Sequence, residues 1–301
     1  MDATRKLPAS AGAEWLLGGF ALLRQAPLAL GSLGALWGLM ASLAVMFSIA
    51  VPALAMVLQL LVTLAGPVLF AGVVWAVREV AQGREASPVH LLQGAREGRV
   101  PALLATILPQ AVAGLILGML LLTMIGPEQL QQLFSVSEEL NALAQSGAQP
   151  TPQQVEALVA GLPAGRILLW LMLGVMAAMA VAIMLFLAVP RILFDQRGGL
   201  AAMGDSLRAG LNNLPALMVF FLLTFIALFA IYFGLTVIGL VVQLIAGPLL
   251  AMWLTQVLLM AVVMPLLAGA VYTAWVQLFS AAQTDGAASA AVAVRSDRFE
   301  A

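Results

Sequence analysis

Residues 209–284 contain no Asp, Glu, Lys, Arg or His. Crossing a hydrocarbon core about 30 Å thick takes roughly 20 apolar helical residues. A run of 76 uncharged residues therefore holds two crossings and a turn, and no soluble core of this size calls for one. Residues 25–77 form a second charge-free run, broken near Pro52, and 100–127 a third. Charged residues make up 9% of the chain and hydrophobic ones 63%, with mean hydropathy +1.06. Soluble domains carry about 25% charge, so the chain reads as an integral membrane protein. Its crossings must be helices, because lipid offers the backbone no partners and the runs are continuous rather than alternating.

The expected fold is an all-α polytopic membrane helix bundle. Six transmembrane helices are placed at about 28–50, 53–77, 101–125, 167–190, 215–236 and 249–280, paired as three hairpins. Residues 1–9 and 285–301 read as disordered ends, and Arg5 and Lys6 begin no cleavable signal, since 8–14 supply no apolar region. Gln, Ser, Pro and Glu accumulate in 126–165, which reads as an extracytoplasmic helical insertion with helices at 129–144 and 151–162. Residues 237–248 suit either an extension of the fifth span or a short surface helix. Pro265, deep in the sixth span, predicts a kink.

A short interfacial amphipathic helix is expected before each hairpin. In 10–25, Leu16, Phe20 and Leu23 share a side with Trp15 and Leu22, while Glu14, Gly18 and Gln25 face away; the same residues also read as the first turns of the first span. After Ser87 and Pro88, Val89, Leu92 and Ala95 oppose Gln93, Arg96 and Glu97, with His90 at headgroup level. In 195–213, Leu200, Met203, Leu207 and Leu211 oppose Asp205, Arg208 and Asn212. Pro27, Pro101 and Pro215 end the three preceding segments alike. Segments 67–76 and 265–274 match with one residue slipped, keeping Pro, Leu, Ala-Gly and Val, whereas the second hairpin departs at Pro190. The chain is thus a candidate internal triplication.

Of 13 basic residues, 12 fall on one side of these spans and only Arg166 on the other. The positive-inside rule then puts both termini and the three short helices in the cytoplasm. Gly34 with Gly38, Gly114 with Gly118, and Gly174 with Ala178 and Ala182 are candidate helix-contact faces. Trp15, Trp37, Trp75, Trp170, Trp253 and Trp275 mostly fall near span ends, as interfacial anchors do.

Little in the chain suggests catalysis. It has no Cys, its one His, His90, lacks a nucleophile arrangement, and no metal-ligand spacing or phosphate-binding glycine pattern is present. The expectation is a protein that is not an enzyme, without cofactor and without nucleic-acid partner. Arg78, Arg84, Arg96, Arg99, Arg191, Arg197 and Arg208 form a candidate basic collar for anionic lipid headgroups. Gln59, Gln110 and Gln256 are candidate mid-membrane polar positions, with Thr63, Thr106, Thr224 and Tyr232 lesser ones. Pro67, Pro109 and Pro265 are candidate helix breaks of the kind transporters use.

The opening residues 7–12, Trp15, Phe20, Arg24 and Pro27, with Asn212-Asn213-Leu214-Pro215 ahead of the fifth span, carry a resemblance. The chain resembles an uncharacterised family of six-span proteobacterial inner-membrane proteins with a Pro-Ala-Ser-x-Gly start and a Phe-x-x-x-Arg-x-x-Pro segment. The resemblance covers most of the chain apart from 126–165 and the tail. It implies a Gram-negative inner membrane and no activity. The first functional reading is a non-enzymatic protein that organises the membrane or binds a partner, whether the bilayer itself, a protein or a second copy. The alternative is a small-molecule or lipid transporter using proline-kinked helices.

Overall fold

The computed structural model describes residues 5–145, 151, 153 and 161–280. Among them there is no strand, and six helical stretches are long and apolar enough to cross a membrane: Pro27–Ala50, Pro52–Ala81, Val100–Met124, Ala164–Leu193, Leu214–Ala246 and Pro248–Phe279. They have 24 to 33 residues. At 1.5 Å per residue that is about 36–50 Å, more than the hydrocarbon thickness. The protein is an all-α, multi-pass integral membrane protein.

Proline and glycine set the element boundaries. Helix α1 (Ala11–Gln25) stops at Ala26, whose φ of −139° is not helical, and Pro27 opens α2 (Pro27–Ala50). The 10–25 segment is therefore a helix of its own. A 3₁₀ turn (Pro52–Leu54) leads into α3 (Ala55–Ala81), which continues through Pro67. A second 3₁₀ turn (Pro88–Leu92) precedes α4 (Gln93–Arg96). The third span comes in pieces: α5 (Val100–Leu104), a 3₁₀ turn (Ala105–Ile107) and α6 (Leu108–Met124). Pro109 has no N–H to return to the carbonyl four residues back, which accounts for the break there. Helix α7 is Pro127–Gln145, α8 Ala164–Phe186, α9 Ala188–Leu193 and α10 Gly199–Asn212. Helix α11 (Leu214–Ala246) runs on through 237–246, so that stretch extends the fifth span. Gly247, at φ 84°, reverses the chain, and Pro248 opens α12 (Pro248–Trp275), which continues through Pro265 into a π-helical turn (Val276–Ser280).

The chain divides into two units, Met1–Ile107 with Ile183–Ala301, and Leu108–Ala182. In the second, Trp170 Nε1 donates to the Leu117 carbonyl at 2.9 Å and the Arg166 guanidinium to that of Met124 at 3.3 Å. These two bonds pair α6 with the first turns of α8. A Cβ built at Gly114, Gly118 or Gly174 meets open space. The helix expected over 151–162 lies mostly outside the described residues, as do residues 1–4 and the tail after Ser280.

In the first unit each short segment seats on the second helix of a hairpin, one step round a cycle. Helix α1, before the first hairpin, packs on α12 of the third: the Cα of Gly19 would lie 2.8 Å from a Cβ on Gly269, and a Cβ on Gly18 would strike Thr273. The Pro88–Leu92 turn, before the second hairpin, packs on α3 of the first, where a Cβ on Gly72 would lie 2.4 Å from the Leu91 Cα. Helix α10, before the third, packs on the end of the second: Ser206 Oγ donates to the Ile183 carbonyl at 2.8 Å and accepts the Leu187 N–H at 3.0 Å. The Ala-Gly pairs that match in 67–76 and 265–274 are thus the seats of two of these segments. Antiparallel α2 closes on α12 in the same way, with Gly34 and Gly38 facing Met260 and Val257.

In all three short segments the expected apolar side divides, part of it packed on a neighbouring helix and part turned outward. On α1 the buried side is Gly12, Trp15, Leu16, Gly19 and Leu22, while Leu17 and Phe20 point out. Gly18 faces a neighbour rather than away. On the second segment Leu91 and Gly94 are buried, and Val89 and Leu92 exposed. On α10 the inner face is Ala202, Met203, Ser206, Ala209 and Gly210, whereas Leu200 is 71% exposed and Leu211 57%. For an interfacial helix the periodicity is the same whether the apolar stripe meets hydrocarbon or protein. Next to lipid large aliphatic side chains gain nothing by turning in, and small residues let backbones approach. Trp15, read as an interfacial anchor, is 1% exposed and stacks near Phe186 and Phe220, with ring centroids 5.6 and 6.0 Å away.

Residues 5–9, expected to be disordered, are held down. The Leu7 N–H donates to Asn213 Oδ1 at 2.7 Å, and Asn213 Nδ2 donates to the Arg5 carbonyl at 3.1 Å. His90 is likewise structural, its Nδ1 accepting the Ser87 N–H at 3.2 Å.

Gly34→Ala would place a Cβ 2.2 Å from the Met260 carbonyl oxygen. It should lower the stability of the detergent-solubilised protein by about 1–3 kcal/mol, the usual range for overpacking. Gly114→Ala, which meets open space, should leave thermal unfolding unchanged or raise it slightly.

Candidate functional site

The described charges concentrate where the ends of α9, α10 and α12 meet. Pro190 and the non-helical Leu187 interrupt the fourth span, and the short α9 that follows turns Arg191 inward. Arg191 is 1% exposed. Its Nη1 donates to Asp195 Oδ2 at 2.9 Å, one helical turn on, and its Nη2 to Asp205 Oδ2 of α10 at 2.7 Å. The guanidinium carbon lies 4.3 Å from the centre of the Phe279 ring. Asp195 Oδ2 also accepts the indole N–H of Trp275 at 2.9 Å, and Arg197 approaches Asp205 at 3.6 Å. Two arginines and two aspartates give no net charge. Arg191 is tolerated away from water only because its charge meets two carboxylates.

Arg191, expected in a collar that meets lipid headgroups, is instead enclosed by the protein. The other collar positions divide. Arg78 is half-buried, stacked 5.3 Å from the Trp75 ring and 4.7 Å from that of Phe194. Arg84 forks onto Glu79 (Nη2 to Oε1 2.7 Å), and this hydrogen bond pushes its already high pKa further up. Arg99 donates to the Gln196 carbonyl at 3.5 Å, and Arg197 is taken up by Asp205. Arg96 and Arg208 are exposed, with no acidic group within 4 Å among the described residues, and Arg24, left out of the collar, shares that condition. The structure thus brings Arg191 and Arg197 together and leaves Arg96 and Arg208 on separate elements.

Gln59, Gln110 and Gln256 are each exposed on α3, α6 and α12. Gln256 lines a groove between α2 and α12. Of the candidate helix breaks, only Pro109 follows an interruption. Among the described residues no three of His, Cys, Asp and Glu are grouped to hold a metal ion.

The buried arginine left one signal in the sequence: an Arg-x-x-x-Asp pair directly after a proline at a span end. Its second partner, Asp205, is 14 residues away on another helix and left none.

Arg191→Ala strands two partly buried carboxylates and should destabilise the protein by about 3–5 kcal/mol, the range for removing one partner of a buried pair. In detergent free of anionic lipid, Arg96→Gln and Arg208→Gln should unfold with the parent in the same thermal melt. Comparison with protein-family models, with curated proteins and with solved structures finds no match to this chain.

Proposed function

We propose that the chain is a non-enzymatic inner-membrane protein that organises the lipid around it, holding anionic headgroups at its arginine-rich end. One observation carries the reading. Each short segment ahead of a hairpin turns large apolar side chains outward beside an exposed arginine. These are Leu17 and Phe20 with Arg24 on α1, Leu92 with Arg96 on the second segment, and Leu211 with Arg208 on α10. The spacings of three, four and seven residues put each set on one side of its helix. Such a side wants hydrocarbon on the one hand and phosphate on the other, and the headgroup boundary offers both. Each basic residue near an anionic surface contributes about 1 kcal/mol.

The clustering of 12 of 13 basic residues on one side of the spans supports cytoplasmic termini. The likeness of the opening segment to six-span proteobacterial proteins supports the inner membrane of a Gram-negative cell. A transport role draws on the interrupted third span and on the exposed Gln59, Gln110 and Gln256. Replacing all three by Leu should leave any transport phenotype intact if the lipid-organising reading holds.

In nanodiscs, phosphatidylglycerol should raise the melting temperature relative to phosphatidylcholine, and the triple variant Arg24→Gln, Arg96→Gln, Arg208→Gln should lose most of that difference. Equal stability of the parent in both lipids would remove the proposal. Reporters fused after Ala301 and within 140–150 should report opposite sides of the membrane.

A further inference from the structure

The last turns of α2 and the first turns of α12 diverge around a groove of about 560 Å³, within the range of small-molecule sites. Its walls are apolar and adaptable: Val45 and Met46 on α2, Met252 and Trp253 on α12. Two polar residues line it as well, Ser42 and Gln256. Ser42 stands eight residues before the end of α2 and Gln256 eight after the start of α12. At 1.5 Å per residue both lie about 12 Å in from the helix ends. Antiparallel packing of Gly38 on Val257 sets Ser42 level with Trp253, and Gln256 three residues, about 4.5 Å, further in.

Ser42 differs from the other serines of its helix. Ser32 and Ser48 donate to their own backbone carbonyls, Ala29 and Ala44, the usual recourse of a serine in a membrane helix. Ser42 is 9% exposed, and its hydroxyl has no partner in the chain. A buried hydroxyl left unpaired is destabilising unless something else accepts its proton. No charged residue occurs in 25–77 or 209–284, which include both walls, so an ionised ligand would find no counter-charge.

We propose that this groove binds a neutral, largely apolar molecule carrying one carbonyl group. The carbonyl accepts the Ser42 hydroxyl proton and an amide proton of Gln256, and the hydrocarbon runs out past Ile49 and Leu249 at the mouth.

The test uses the full chain in nanodiscs with two probes, 7-bromo-2-hexadecanone and 7-bromohexadecane, read by bromine quenching of tryptophan fluorescence. The ketone should quench saturably and the hydrocarbon only in proportion to its partitioning. Trp253→Phe should remove the saturable part. Ser42→Ala and Gln256→Leu should each weaken it about fivefold, the loss of one hydrogen bond. Val45→Trp, which fills the groove, should abolish it with elution and melting unchanged. Equal quenching by both probes, or saturation that survives Val45→Trp, overturns the proposal. So does a dimer that Val45→Trp converts to monomer while quenching persists, since a second copy would then be the occupant.

Discussion

Everything in the first unit depends on backbones touching where glycines cross. Gly12 on Ala216, Gly19 on Gly269, Gly34 on Met260, Gly72 on Leu91 and Gly199 on Ala102 leave no room for a Cβ. In water, burying large side chains would drive such helices together. In lipid that force is absent, and what remains is close van der Waals contact and the hydrogen bonds it admits. The side chains that would obstruct approach are turned outward, where hydrocarbon solvates them as well as a protein core would.

That constraint explains why the three short segments have a common architecture although their sequences differ. Each precedes a hairpin, and within the first unit each is seated on residues that close another. Two seats are Ala-Gly pairs at matching positions. The third, at the end of α8, lacks the glycine and uses the Ser206 hydroxyl, with the Arg191 cluster tying α9, α10 and α12 together beside it. Among the described residues no short segment is lodged between the opposite ends of α2 and α12, and the groove opens there.

Much of the fold was legible because a bilayer imposes lengths. Charge-free runs marked all six spans, prolines marked the beginnings of the first, third and fifth, and the charge imbalance separated the two ends. The faces of the short helices were not legible. Leu200 and Leu211 repeat at helical spacing, yet the same period arises whether the apolar stripe meets a protein core or lipid, and only the neighbours decide between them. The candidate site was less legible still. Seven arginines looked alike in sequence, but Arg191 is enclosed by aspartates from two elements while Arg96 and Arg208 stand in the open. Gln256 was noted as polar among apolar residues, whereas nothing in the spacing of Ser42 indicated a hydroxyl without a partner.

The sequence by itself determined that this chain crosses the membrane, how many times, and which ends of its helices gather the positive charge. Those follow from transfer of side chains into hydrocarbon and need no knowledge of contacts. Tertiary structure alone decided which glycines meet a backbone, which arginine is buried, and where a polar pair faces an apolar groove. Those properties belong to residues far apart in the chain, and helices of equal hydrophobicity can be paired in many ways until close packing selects one.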